Sequence, residues 1–198
     1  MYKAYICLFV CFATSANHLE IVTDLKSERF ITAYKRFTSR RDICATRTSD
    51  RGLNCIGADR ELRNLFDQAP SESADIRDRL ASDGIQWIFN PPHSLHMGDK
   101  WEAAVKSTKH HLRTIIGTST LTYEECTTLL TQVQAILYSR LLCTLTNDPQ
   151  DTSALTPGHF IIREPVTTVP EPSLQLIPTD NLNRWQFITQ RLQNFWEH

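Results

Sequence analysis

MYKAYICLFVCFATSANHLEIVTDL (residues 1–25) decides the fold, because it can be read in two incompatible ways. A short basic start, the apolar run Ala4 to Ala13, and the small residues Thr14, Ser15 and Ala16 before Asn17 match the three parts of a secretory signal peptide. The same residues can instead form a buried β-strand. A second strand would follow, with Leu19, Ile21, Thr23 and Leu25 sharing one face of a half-buried segment at period two. The choice matters for redox chemistry, since a secreted chain would pair its six cysteines and an intracellular one would keep them as thiols.

With 198 residues and 41% hydrophobic content, the chain can bury one ordinary core and carry a small appendage. Its apolar opening is too short for a membrane span of about 20 residues, and no later segment is longer or as apolar, so a membrane protein is not expected. A formal charge of −1 and a pI near 6.6 exclude a wholly basic protein and leave only a local basic face for nucleic acid. Cys7, Cys11, Cys44, Cys55, Cys126 and Cys143 include no C-x-x-C pair, and no cysteine pair lies near His93/His96 or His110/His111. The expectation is therefore six thiols and no zinc site.

Working outward, KSERFITAYKRFTSRR (26–41) places Phe30, Ala33, Tyr34 and Phe37 on one helical stripe, with a basic opposite side. DICATRTSD (42–50) is a short strand ending at Ser49-Asp50. Gly52 interrupts the chain before the helical ADRELRNLFDQA (58–69), with Leu62, Leu65 and Phe66 inward. SADIRDRLAS (73–82) is helical and stops at Gly84, and GIQWIF (84–89) alternates Ile85, Trp87 and Phe89 before Pro91-Pro92. In DKWEAAVKSTKHHLRTIIG (99–117), Trp101, Ala104, Val105, Thr108, Leu112, Ile115 and Ile116 form one stripe, with Asp99 as cap and Gly117 as stop. The capping box Thr122-x-x-Glu125 opens another helix, with Cys126, Leu129, Leu130, Val133, Ile136 and Leu137 inward.

Alternating helices and strands predict an α/β domain over 1–147. Residues 148–180 hold six of the nine prolines and form an extended connector. Residues 181–198 form a terminal helix with Leu182, Trp185, Ile188, Leu192, Phe195 and Trp196 at helical spacing.

Two acids stand out by context: Asp50 at a strand end beside Gly52, and Glu102 near the start of a helix, on one face with Lys106 and Lys109. Carboxylates from two elements can hold Mg²⁺, which takes oxygen ligands, while lysines on the same face can bind phosphates. On spacing alone, Glu102 and Lys106 equally form a solvated i, i+4 pair of a few tenths of a kcal/mol.

The order of the stretches is more specific. CFATSANHLEIVTDL (11–25), TSDRGLNCIGADREL (48–62), GIQWIFNPPHSLHMGDKWEAAVKSTKHHLR (84–113), LLTQVQAILYSR (129–140) and LTPGHFIIREP (155–165) together resemble the integrase region of BEL/Pao long-terminal-repeat retrotransposons. That resemblance covers nearly the whole chain, and RWQFITQRLQNFWEH (184–198) resembles the start of the domain that follows the integrase core. It implies a ribonuclease H-like mixed sheet with flanking helices and three acidic ligands for Mg²⁺ or Mn²⁺. Asp50 matches the second acid, in S-D-N-G-x-N-F, and Glu102 the third, in H-x-G-G-x-W-E. Asn54, Lys106 and Lys109 match nucleic-acid contacts, with Arg113 on the same helix as a further cation.

Under this reading the apolar opening is the first strand of the central hairpin, and the signal peptide ending at residue 16 becomes the alternative. Four departures accompany the resemblance. The first acid belongs to a strand upstream of Met1, leaving one ligand and one central strand missing. Arg51 replaces an asparagine beside the metal acid, and Cys55 replaces an aromatic residue. Asp99-Lys100 stand where a glycine and an apolar residue are usual. A cation beside Asp50 opposes metal binding. The expectation is an integrase core fragment that binds DNA without catalysing strand transfer. Integrases act as multimers, which leaves a homo-oligomer as one state open to this fragment, and the chain would be intracellular, nuclear where functional; an inert remnant and a small secreted protein are the alternatives.

Overall fold

In the computed structural model, residues 3–68, 86–91, 98–117, 119–145, 154–167 and 169–196 are described. The expected helix SADIRDRLAS, Ile85, Pro92, His93 and His96 lie outside them, as do the side chains of Phe195 and Trp196. Two compact units emerge, one of residues 1–7 and 20–99, the other of residues 8–19 and 100–198. The architecture is mixed α/β.

The opening forms a hairpin shared by both units: β1 (Tyr5–Val10) pairs with β2 (Asn17–Val22). A link this short can join only antiparallel neighbours. Cys11 N–H donates to Ala16 O at 2.9 Å and Ser15 N–H to Cys11 O at 2.8 Å, closing the turn. The expected half-buried second strand is instead buried along its whole length and ends at Val22, leaving Thr23 and Leu25 exposed beyond it. The physical reason is Glu20. Its carboxylate would demand water, but Arg36 and Arg40 of α1 (Ser27–Arg41) reach it at 2.5 and 2.7 Å, so that face of the strand is covered.

In the first unit, α1 buries Ile31, Ala33 and Tyr34 and half-buries Phe30 and Phe37. β3 (Thr46–Ser49) runs parallel to β4 (Gln86–Phe89), with Arg47 opposite Trp87 and Ser49 opposite Phe89. Between them in sequence comes α2 (Leu53–Asp67). Its inward face differs from the expected one: Cys55, Ala58 and Leu62 are buried, Phe66 is half-buried and Leu65 faces outward. Close approach of α1 and α2 explains this. A Cβ at Gly57 would collide with Ser27 Oγ, which donates to Asn54 O at 3.0 Å, so the helices meet at the glycine.

In the second unit, α3 (Asp99–Ile116) buries Ala104, Thr108, Leu112 and Ile115, the expected stripe. Asp99 is its first residue rather than a cap outside it. Gly117 ends it at φ 56°, a left-handed conformation that suits glycine, with its N–H on Arg113 O. α4 (Tyr123–Ser139) starts with the expected capping box and buries Leu129, Leu130, Val133, Leu137 and Tyr138.

Beyond it come the antiparallel pair β5 (Cys143–Thr144) and β6 (Ala154–Leu155), the short α5 (His159–Ile162) and the terminal α6 (Arg184–Trp196). Connector and α6 are tied by side-chain amides: Gln190 Nε2 donates to Leu174 O and Ile177 O, and Gln193 Nε2 to Pro172 O. Among the described residues the strands pair two by two, in three two-stranded sheets.

Candidate functional site

Asp50 follows β3 directly, where the parallel pair ends, and its carbonyl is tied to the strand through the Ser49 hydroxyl. Ser49 Oγ donates to Asp50 O at 2.8 Å and itself accepts Trp87 Nε1–H at 2.9 Å. Asp50 Oδ1 accepts Gly52 N–H at 3.3 Å, a local turn that aims the carboxylate along the start of α2. Asn54 lies on the same corner. A Cβ built on Gly52 would stand 2.6 Å from Asn54 Oδ1 and 3.3 Å from Asp50 Oδ1, so both polar side chains border the bare glycine. Asp50 and Arg51 are exposed. The structure therefore brings Asp50 and Asn54 together in the first unit.

Glu102, Lys106, Lys109 and Arg113 occupy the second unit, on α3, and all four are exposed. Their spacing of 4, 3 and 4 residues keeps them on one stripe, opposite the buried Ala104, Thr108 and Leu112. None makes an ion pair with a described residue, so the simple Glu102–Lys106 pair is absent among those residues. The result is an open line of three cations on a rigid helix, about 10 Å long at 1.5 Å rise per residue.

Such a line suits successive phosphates of a nucleic-acid strand. On α1, by contrast, Arg36 and Arg40 are committed to Glu20.

Mg²⁺ takes six oxygen ligands in octahedral geometry, several of them waters, with one or two carboxylates as anchors. Among the described residues no group of three or more His, Cys, Asp or Glu side chains is gathered to hold a metal ion. Asp50 and Glu102 belong to different units, and Asp50 has the Arg51 cation beside it in sequence.

Sequence reasoning passed over Arg47. Its guanidinium lies between the rings of Tyr34 and Trp87, at 4.7 and 4.8 Å from their centroids, with Nε and Nη1 buried and lacking a hydrogen-bond partner among the described residues. Burial lowers its pKa from the ordinary value, against the opposing pull of Tyr34, Asp59 and Cys44. No local signal marks it, because Tyr34 and Trp87 come from elements distant in sequence.

Lys100, noted only as a departure from the family pattern, donates to Phe12 O at 2.7 Å beside the Phe12–Trp101 stack. His111 Nε2 meets Ser107 Oγ at 3.1 Å within one turn of α3. Burial, then His110, lowers the His111 pKa.

No protein-family model matches the chain, and no curated protein matches it in sequence. All six cysteines are free thiols, and no described helix is long and apolar enough to cross a membrane.

Proposed function

We propose that the chain is an integrase-core fragment of the BEL/Pao type, with a ribonuclease H-like origin, that binds DNA without cutting or joining it. The single observation that carries the DNA-binding half is the unpaired cationic stripe Lys106, Lys109 and Arg113 on α3, with Glu102 on the same line.

The mixed α/β architecture is compatible with the ribonuclease H-like half. Asp50 at the end of β3, with Asn54 at the start of α2, agrees with the second-acid motif of the resembled family. Arg51, a cation beside Asp50 in sequence, favours binding over metal-dependent chemistry. DNA is the partner, and a nuclear location accompanies that role.

Fluorescence anisotropy with a labelled duplex, across a salt series, tests the reading. The expected affinity falls linearly on a log–log plot, by a slope of about 0.9 for each phosphate neutralised. Replacing Lys106, Lys109 and Arg113 with alanine flattens that slope. Affinity indifferent to salt, or unaltered in the triple variant, would sink the DNA-binding half. Mg²⁺-dependent strand transfer by the purified chain would sink the non-catalytic half.

A further inference from the structure

We infer that His110 makes the cationic stripe of α3 pH-dependent, its imidazole adding a fourth cation that tightens the hold on DNA phosphates in mildly acidic solution. The inference rests on the DNA-binding reading above and specifies how that site is regulated.

His110 follows Lys109 directly, four residues after Lys106 and three before Arg113, and is exposed as they are. Residues three and four apart are neighbours on a helix surface, so its side chain emerges beside those of Lys106 and Arg113. Glu102, the acid of the same line, lies about two turns away. The His110 ring meets that of His111 edge-on, with centroids 5.8 Å apart. No described acid pairs with His110, and no described side chain of another element hydrogen-bonds its ring. A proton gained there is therefore not neutralised by the described residues, and it adds its charge to the line.

Histidine is the side chain whose ordinary charge change falls between about pH 5 and 8, a range in which lysine and arginine stay charged. Within the stripe, His110 alone changes charge there. A phosphate laid along the line favours the charged ring over the neutral one, so DNA binding and proton uptake are linked and reinforce each other.

His111 does not share this role. It comes round on the other side of α3 from the stripe, is half-buried, and places Nε2 3.1 Å from Ser107 Oγ. Burial, then His110, lowers its pKa, which keeps it neutral over more of the range and makes it an internal control.

Fluorescence anisotropy with a labelled duplex and the intact chain, at about pH 8 and about pH 5.5 and across a salt series at each, tests the inference. At about 0.15 M salt the wild type should bind about fivefold tighter at the acid end, with a salt slope steeper by about 0.9, the share of one further phosphate. His110→Ala should bind equally at the two pH values, His110→Lys should show the steeper slope at both, and His111→Gln should retain the acid gain. Wild-type binding that ignores pH, or an acid gain that survives in His110→Ala, would overturn the inference while salt-dependent binding at pH 8 leaves the DNA reading standing. Absence of salt-dependent binding at either pH would overturn both.

Discussion

Arg184 holds both carboxylate oxygens of Glu125, with Nε at 2.6 Å from Oε1 and Nη2 at 2.7 Å from Oε2. The same carboxylate accepts Thr122 N–H at 2.7 Å, so one acid both caps α4 and fastens the start of α6 to it. These bonds, Arg184 first and then the Thr122 backbone, lower the Glu125 pKa from its ordinary value. Because the folded value lies below the unfolded one, the stabilisation is present above the ordinary carboxylate range and is lost as pH falls through the folded value. In Arg184→Ala, Glu125 should titrate at higher pH by NMR, and the α6 amides should exchange faster with solvent. An unaltered titration would mean that the fork does not form in solution.

Glu20 is the acid whose loss should cost most. It is 6% exposed and held by Arg36 and Arg40, so Glu20→Ala leaves two guanidinium groups facing a vacated site on β2. Because the Arg36 and Arg40 side chains are 34% and 59% exposed, water takes over part of the lost interaction, and the cost is about 1 to 2 kcal/mol. For a chain of this size that corresponds to a melting temperature lower by a few °C. Glu20→Gln keeps a carbonyl acceptor and should lose less. A loss for Glu20→Ala below about 0.5 kcal/mol in urea denaturation would show that the site is wet.

Two cysteines at the ends of one short stretch should react at very different rates. Burial pushes the Cys7 thiol up to about 12, with Cys55 and Glu20 adding to the effect and Arg36 opposing it. Cys11 is exposed in the hairpin turn. Partial burial raises its pKa, but hydrogen bonds from Thr14 and the Ala13 backbone, helped by the Lys100 charge, outweigh it and leave the thiol below its ordinary value. Limited alkylation with iodoacetamide near neutral pH, read by peptide mass spectrometry, should modify Cys11 first and Cys7 last. Lys100→Ala and Thr14→Val should each slow Cys11. Equal rates at the two positions would contradict the hydrogen-bonded turn.

Local patterns are legible in the letters of the chain alone. The Thr122–Glu125 capping box, the buried stripe of α3 and the strand end at Asp50 depend on neighbours within a few residues, so those letters suffice. Leu65 shows where this stops. Its spacing beside Leu62 and Phe66 suits an inward face, yet contact with α1 through Gly57 and Ser27 sets the rotation of α2 and turns Leu65 to solvent. Of the candidate site, the Asp50–Asn54 corner and the α3 stripe are visible as short motifs. Arg47 is not, since its ring partners lie in other elements, and neither is the commitment of Arg36 and Arg40 to Glu20.

By itself, the sequence determined the long helices α1, α3, α4 and α6, that α3 carries Glu102, Lys106, Lys109 and Arg113 along one line, and that the opening residues can serve as a strand, whereas β5, β6 and the short α5 within the expected extended connector escaped it. Hydrophobic periodicity and capping chemistry act within a few residues, and those letters are all present locally. Tertiary structure alone decided that β2 is buried on both faces, that the described strands pair two by two, and that Arg36 and Arg40 of α1 are committed to a buried acid. Burial, strand pairing and ion pairing depend on groups far apart in the chain, and only folding brings them within reach of one another.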